Sequence, residues 1–203
     1  MNKMTIFILS FVTFLVIIVG LKLFTLISSV VPSDIETPKY KVLKNYPRFE
    51  LRQYESMMLA TTNLGVASYD EKSSEGFRTI ASYIFGKNKS NEKIAMTAPV
   101  IYHADSISTL SFVMPRSKTE ESMPVPIDSN LTFVVQAPKL LAVLDFGGFI
   151  NDKKLAARMA ELKKAVLKEG FQIKGKGFYF GYNPPWQLIG RKNEVAFELE
   201  NVN

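Results

Sequence analysis

The 203-residue chain has no cysteine and a single histidine, His103. The first absence excludes disulfides, thiol catalysis, a cysteine-ligated metal and a lipidated cysteine, without assigning a redox compartment. The second removes His-rich metal sites and any triad that needs a second imidazole. The phosphate-binding loop, the dinucleotide fingerprint, G-x-S-x-G and H-E-x-x-H are all missing. The spaced glycines of GKGFYFG (Gly175–Gly181) do not open a helix, so they do not substitute for the fingerprint. Asp and Glu are scattered, and no close carboxylate pair presents itself. Charge is equally dispersed. The net +6 comes from 25 basic and 19 acidic residues interspersed along the chain, which gives no support to nucleic-acid binding.

Apolar material is plentiful. Nearly half the chain is hydrophobic, with 15 Phe and 8 Tyr, enough for one sizeable core plus an appendage. The appendage is the amino-terminal segment. Met4–Leu21 runs for 18 residues without a charge, and LFTLISSVV continues apolar after Lys22. About 20 apolar residues span a bilayer, so this segment predicts a single transmembrane anchor. A cleaved secretory signal is the alternative, but the apolar run is long for one and no clear small-x-small site follows it. Basic residues flank both sides, so their count does not set the orientation. A short tail before a signal-anchor stays in the cytoplasm, which places the folded domain outside it. Residues 1–31 are thus read as anchor and flank. Residues 32–39, containing the polar, Pro-bounded PSDIETP, are the linker, and residues 40–203 are the folded domain.

The domain contains a repeat. MMLATTNLG from Met57 matches KLLAVLDFGG from Lys139, aligning Leu59-Ala60 with Leu141-Ala142 and Leu64-Gly65 with Phe146-Gly147. Each block leads into an amphipathic helix. Phe77, Ile80, Ala81 and Ile84 form the apolar stripe of the first, and Leu155, Met159, Leu162 and Val166 that of the second. Two strand-like runs follow each helix: Ile94–Tyr102 and Thr109–Met114, then Gly177–Tyr182 and Glu194–Leu199. The shared order strand–strand–helix–strand–strand predicts a duplicated α+β unit, with a mostly antiparallel sheet curled toward a barrel and two helices against it.

Single residues carry less. His103 lies before Ala104-Asp105-Ser106 and is read as sitting in a loop, a metal ligand only if something holds it there. In NEKIAMTAPV (Asn91–Val100), the alternation of Ile94, Met96 and Ala98 predicts a strand with Met96 on a pocket wall, and Pro99 belongs at an edge or bulge. Arg191 and Glu194 are read as a structural ion pair fixing the last strand. Asn88-Lys89-Ser90 and Asn130-Leu131-Thr132 have the form of glycosylation sequons. Residues 152–176 hold eight basic side chains against Asp152, Glu161 and Glu169, either a solvated helix face or a surface for acidic lipid head groups.

Several motifs together carry a family resemblance: KIAMTAPV, FGGF (Phe146–Phe149), GYNPPWQLIGRKNEV (Gly181–Val195), YKVLKNYPRFELRQY, GFRTIASYIFGKN, and SFVMP with MPVP. In fixed order from about Tyr40 to Leu199, they resemble the SOUL, or haem-binding protein, family. The resemblance implies a distorted antiparallel β-barrel with two helices and an internal repeat, similar to effector-binding domains. It also implies binding of haem or a related tetrapyrrole in a hydrophobic groove involving the first helix, without catalysis. Candidate binding residues are Phe77, Ile80, Ala81 and Ile84 on that helix, with Arg78 as a cation for propionates, together with Met96 and His103. Met, Tyr and His can all ligate haem iron, and the sequence leaves open whether Met96, His103 or no residue does so. Other hydrophobic ligands or lipids are the alternative cargo, and a tetrapyrrole-modifying enzyme the alternative activity. A chain beginning near Ser33 is expected to be soluble and to unfold cooperatively. Its precipitation, with the full chain freely soluble in the absence of detergent, would refute the anchor.

Overall fold

The computed structural model of the protein describes residues 35–184 and 186–200. The expected anchor lies outside them. Among the described residues no helix is long and apolar enough to cross a membrane.

Nine strands and two helices follow in order: β1 (Tyr40–Asn45), β2 (Glu50–Tyr54), β3 (Met57–Gly65), α1 (Tyr69–Ile84), β4 (Val100–His103), β5 (Ser108–Val113), β6 (Leu131–Gln136), β7 (Lys139–Gly147), α2 (Asp152–Lys168), β8 (Ile173–Gly181) and β9 (Lys192–Leu199). The strands form one antiparallel sheet in the order β1-β2-β7-β9-β8-β4-β5-β3-β6, curled into a half-barrel. Leaving out β1, this order is unchanged when the two halves of the sequence are exchanged: β2 with β6, β3 with β7, β4 with β8, β5 with β9. The predicted repeat is therefore a pseudo-twofold arrangement. Its halves are interlocked, because β2 pairs with β7 of the second half and β6 pairs with β3 of the first. The dyad falls between β4 and β8, where Tyr102 stands directly opposite Tyr179. It also falls between the helix amino-termini. The Asp152 carboxylate accepts the Tyr69 amide (3.0 Å), and the Asp70 carboxylate accepts the Asp152 amide (3.0 Å), so each helix supplies the anion that satisfies the other's free N–H groups.

Side chains alternate across the sheet. One set (Leu51, Leu110, Tyr102, Leu144, Val195, Phe197) forms the main core with Ile80, Ile84, Leu155, Leu162 and Val166 of the helices. Gly76 lets α1 approach closely, since a Cβ there would lie 2.6 Å from Leu64 Cδ2. The other set (Tyr54, Leu59, Ile101, Val143, Phe178, Phe180) forms a second core on the opposite face. Glu36–Lys39, in the expected linker, is held against the domain. Glu36 bridges to Thr97 and pairs with Arg116 (3.2 Å), and Pro38 borders the second core.

A charged network sits in that second face. Glu194 is fully buried and Arg52 is 5% exposed. They pair at 3.1 Å across the intervening β7. Tyr182 donates to Glu194 (2.6 Å), Lys192 lies 3.2 Å from it, and Glu50 takes the far side of the guanidinium at 2.7 Å. Burial opposes the Arg52 charge, but the Glu194 carboxylate together with Tyr54 and Glu50 outweighs it and holds the guanidinium protonated. The Tyr54 phenol beside them is pushed up to about 12, by burial first and then by Glu194.

Three expectations are corrected here. NEKIAMTAPV is not a strand. Regular pairing begins only at Val100, and the buried residues are Ile94, Thr97, Ala98 and Pro99 rather than alternate ones. Its later part is held by Thr97, whose hydroxyl donates to the Val113 carbonyl, and by Ala98, whose amide donates to the Glu36 carbonyl (2.9 Å). Its start is held by Asn88, whose buried amide donates to Tyr83 and Glu92 carbonyls and accepts from the Ser90 and Glu92 amides. That fully bonded, 1% exposed side chain is no glycan acceptor. Arg191 and Glu194 do not pair, because Glu194 is taken by Arg52 across the sheet and Arg191 turns back onto its own loop. His103 is not in a loop either. It ends β4, half-buried, with its ring stacked 4.4 Å from Phe178.

Two predictions follow from these contacts. Arg52→Met is expected to lower the free energy of unfolding by about 3–5 kcal/mol in a denaturant titration, because it strands a buried carboxylate. Arg52→Met combined with Glu194→Leu should recover most of that loss; a single variant as stable as the parent would show that the pair holds nothing. For His103, burial is the main cause of a pKa below the ordinary 6.5, with Lys139 lowering it further and Asp105 and Glu198 opposing. As pH falls, the unfolded chain therefore takes up the proton first. The His103 contribution is fully present above about 6.5 and declines as pH drops from there to the folded value. His103→Phe should flatten stability over that window, and an unaltered pH profile would count against the stacked, neutral ring.

Candidate functional site

Two concavities flank α1. One, of about 420 Å³, lies against its carboxy-terminal half and is lined by Glu75, Arg78, Ser82, Lys87 and Asp128 among others. The other, of about 300 Å³, lies between its amino-terminal half and strands β4, β5 and β8. The first is larger, but its walls are charged and carry two carboxylates. The second has an aromatic floor with cations on its walls, the pattern of a small-molecule site. On the opposite face of the sheet, Tyr54, Met57, Ile101, Phe178 and Phe180 enclose only about 10 Å³, no more than one water needs.

The cleft is built on the dyad. Tyr102 and Tyr179, opposite each other on β4 and β8, point to the helix face, and Tyr69 from the first turn of α1 packs edge-on against both at 5.3 and 5.2 Å. Val100 and Leu110 continue the apolar floor, and Phe77 closes the α1 side, its ring 5.3 Å from Phe112. The tyrosine hydroxyls of the sheet are already engaged. Tyr179 donates to Asn193 (2.7 Å), and Tyr102 lies within hydrogen-bond distance of Ser108 (3.1 Å) and the Ala67 carbonyl (3.3 Å). Burial, ahead of every other cause, pushes the phenols of Tyr69 and Tyr179 up, so both stay protonated at neutral pH.

Arg78 and Arg191 bring positive charge to this cleft. Among the described residues neither forms an ion pair. Arg191 is held by the β8–β9 loop. Its guanidinium donates to the Pro184 (3.0 Å) and Gln187 (2.9 Å) carbonyls and lies 4.7 Å from the Phe149 ring centre. Among the described residues its Nε is buried without a partner. A positioned guanidinium with an orphaned donor fits an anionic oxygen.

Of the residues singled out from the sequence, Phe77 and Arg78 line this cleft. Ile80 and Ile84 are 0% and 1% exposed, in the core beneath it. Ala81 is half-buried on α1 outside the cleft lining, and Met96 is exposed on the segment before β4. His103 follows Tyr102 in β4 and so faces the other side of the sheet. Sequence reasoning missed Tyr69, Tyr102, Tyr179 and Arg191. The signal for the paired tyrosines was present, since each occupies the strand after the helix in its own half of the repeat.

With this geometry described, the likeness to known proteins becomes informative. The sequence profile described as SOUL heme-binding protein matches residues 35–198. The chain is 30% identical over 180 residues to Homo sapiens "Heme-binding protein 2", covering 82% of this chain and 87% of that one. It is 29% identical over 163 residues to Xenopus laevis "Heme-binding protein 1", covering 75% and 84%. Among solved structures, the C-terminal domain of EcmrR superposes with a TM-score of 0.55 over 80% of this chain and 99% of the other, at 13% identity, a likeness of fold alone. A profile match over the whole folded domain, on a sheet that carries the expected repeat and two helices, establishes that the chain belongs to the SOUL heme-binding protein family.

Proposed function

We propose that the protein is a membrane-tethered module that binds haem or a related tetrapyrrole in the cleft between α1 and strands β4, β5 and β8, without catalysing a reaction. The observation that carries the reading is the pairing of an aromatic floor with two cations that have no carboxylate partner, Arg78 and Arg191. A tetrapyrrole is a flat apolar ring with carboxylates along one edge. Tyr69, Phe77, Tyr102 and Tyr179 would cover ring surface, at about 25 cal/mol per Å² of apolar area removed from water. Arg78 and the free Nε of Arg191 would hold the carboxylates. Family membership and the names of the relatives support the same cargo.

When bound, haem would supply an iron centre; the residues of this cleft bind and orient the ring rather than act on it. The cleft lining contains no His or Met. Its sheet tyrosines are hydrogen-bonded, and burial resists the phenolate form that ligates iron. Ring burial therefore carries the affinity, with ligation of the metal optional. The same arrangement disfavours cationic cargo, because the cleft is itself cationic and the one deeply buried carboxylate, Glu194, is already neutralised by Arg52. The tether rests on the charge-free run Met4–Leu21, and the extracytoplasmic placement on the short tail before it. The basic residues of α2 would then face acidic head groups.

Haemin and iron-free protoporphyrin are expected to bind with comparable affinity. Arg78→Ala should weaken both about tenfold, or about 1.4 kcal/mol, and leave binding of the protoporphyrin dimethyl ester unchanged, since the ester has no charge to lose. His103→Ala should leave haemin affinity within about threefold. Titrations followed by the Soret band and by fluorescence read all three. Loss of haemin binding alone in His103→Ala would make that residue the iron ligand, and undiminished affinity of Arg78→Ala for haemin and protoporphyrin would move the site away from this cleft.

A further inference from the structure

The loop joining β8 to β9 carries three of the most exposed apolar side chains of the domain: Trp186 at 75%, Leu188 at 71% and Ile189 at 79%. Beside it, across the Arg191 contact, Phe149 is 54% exposed. The polar groups of this loop turn inward. Asn183 accepts the Lys192 amide (2.6 Å) and donates to Gln187 (2.9 Å), Gln187 donates to the Ile189 carbonyl (3.1 Å), and Arg191 takes two more carbonyls. A loop that turns these polar groups inward and presents Trp, Leu and Ile outward suits the interfacial layer, where its remaining peptide groups keep water or head-group partners.

We infer that the tip of the β8–β9 loop, with Phe149, inserts into the interfacial layer of the lipid bilayer that holds the anchor. The inference rests on the tether proposed above. The point of attachment supports it. Glu36 bridges to Thr97, and its carbonyl accepts the Ala98 amide (2.9 Å), immediately before β4. The first residue of β4, Val100, is paired with Gly181, from which the loop springs. Tether and loop therefore leave the same end of the sheet. If the anchor and its flank end at residue 31, only residues 32–35 precede Glu36, a reach of about 15 Å at full extension. With the tether proposed above, so short a link would keep that end of the domain close to the head groups. Trp is the side chain that favours this depth, with an apolar ring and an N–H that stays near water. The basic residues beside Phe149, Lys154 on its carbonyl and Arg191 on its ring, suit an anionic leaflet. The nearby carboxylates Asp70 and Asp152 face inward onto the helix termini, and Glu194 is buried with Arg52. Arg191 and Asn183 also line the cleft, so the tip would bring the mouth of the ligand site to the depth where an apolar porphyrin partitions.

Trp186 is the only tryptophan, so its fluorescence in the full chain reports this loop alone. The full chain is reconstituted into phosphatidylcholine–phosphatidylserine vesicles, and Trp186 emission is measured with nitroxide-labelled lipids bearing the label at shallow or deep acyl positions. Emission shifted to the blue and quenched several-fold more by the shallow label than by the deep one is the expected result. Leu188→Asp with Ile189→Asp should abolish most of that quenching while the protein still floats with the vesicles and keeps its far-ultraviolet circular dichroism. Flotation without quenching of the parent overturns the loop inference and leaves the tether standing. A blue shift that no lipid-borne label quenches assigns the loop to a protein partner and overturns it as well. Failure to float at all overturns the tether, and the inference with it.

Discussion

The pairing of β4 with β8 is the constraint on which the rest depends. It is the seam between two copies of one structural unit, and everything at the centre of the molecule is arranged around it: the opposed tyrosines on the sheet, the helix amino-termini that cap one another, and the cleft above them. The outer strands reinforce the seam, since each half lends a strand to the other. Neither half completes its sheet alone, so the two units fold as one domain rather than as beads on a chain.

The two faces of this sheet handle charge in opposite ways. On the face away from the helices, a cation and an anion are buried together and satisfy each other, with tyrosines supplying the remaining hydrogen bonds. Such a cluster is costly to break and offers nothing to a ligand. On the helix face, two guanidinium groups reach the cleft without a counter-ion among the described residues. One polar network specifies how the strands assemble; the other leaves charge unsatisfied at a place where a small anion can reach it.

How far the sequence reveals this depends on the range of the interaction. The repeat, the two helices and their buried stripes were legible because they rest on local periodicity, and Ile80, Ile84, Leu162 and Val166 lie where a 3.6-residue period puts them. The segment around Met96 misled, because its alternation is real in the sequence yet overruled at both ends, by the side-chain hydrogen bonds of the buried Asn88 and by the pairing of Thr97 and Ala98 with Glu36. Arg191 and Glu194 are close in sequence, and their charges suggest a pair. They are separated because Glu194, one face over, meets a partner 142 residues away. His103 drew attention by being alone, whereas the alternation along β4 puts it on the side opposite Tyr102. Of the cleft, Phe77 and Arg78 could be found from one helix. The tyrosines and Arg191 come together only when distant strands do.

The dyad also shows where the two halves differ beside the cleft. Superimposing the halves on the aligned Leu59 and Leu141 places Phe77 over Met159, Ile80 over Leu162 and Ile84 over Val166, each a large apolar side chain matched by another. One turn earlier the match fails. The second copy has Leu155, buried in the core, where the first has Ser73, a wall of the cleft. A side chain of four carbons fills that position as core in one copy, and a hydroxymethyl leaves it as a cleft wall in the other, so the cleft lies where the repeat departs from its own symmetry.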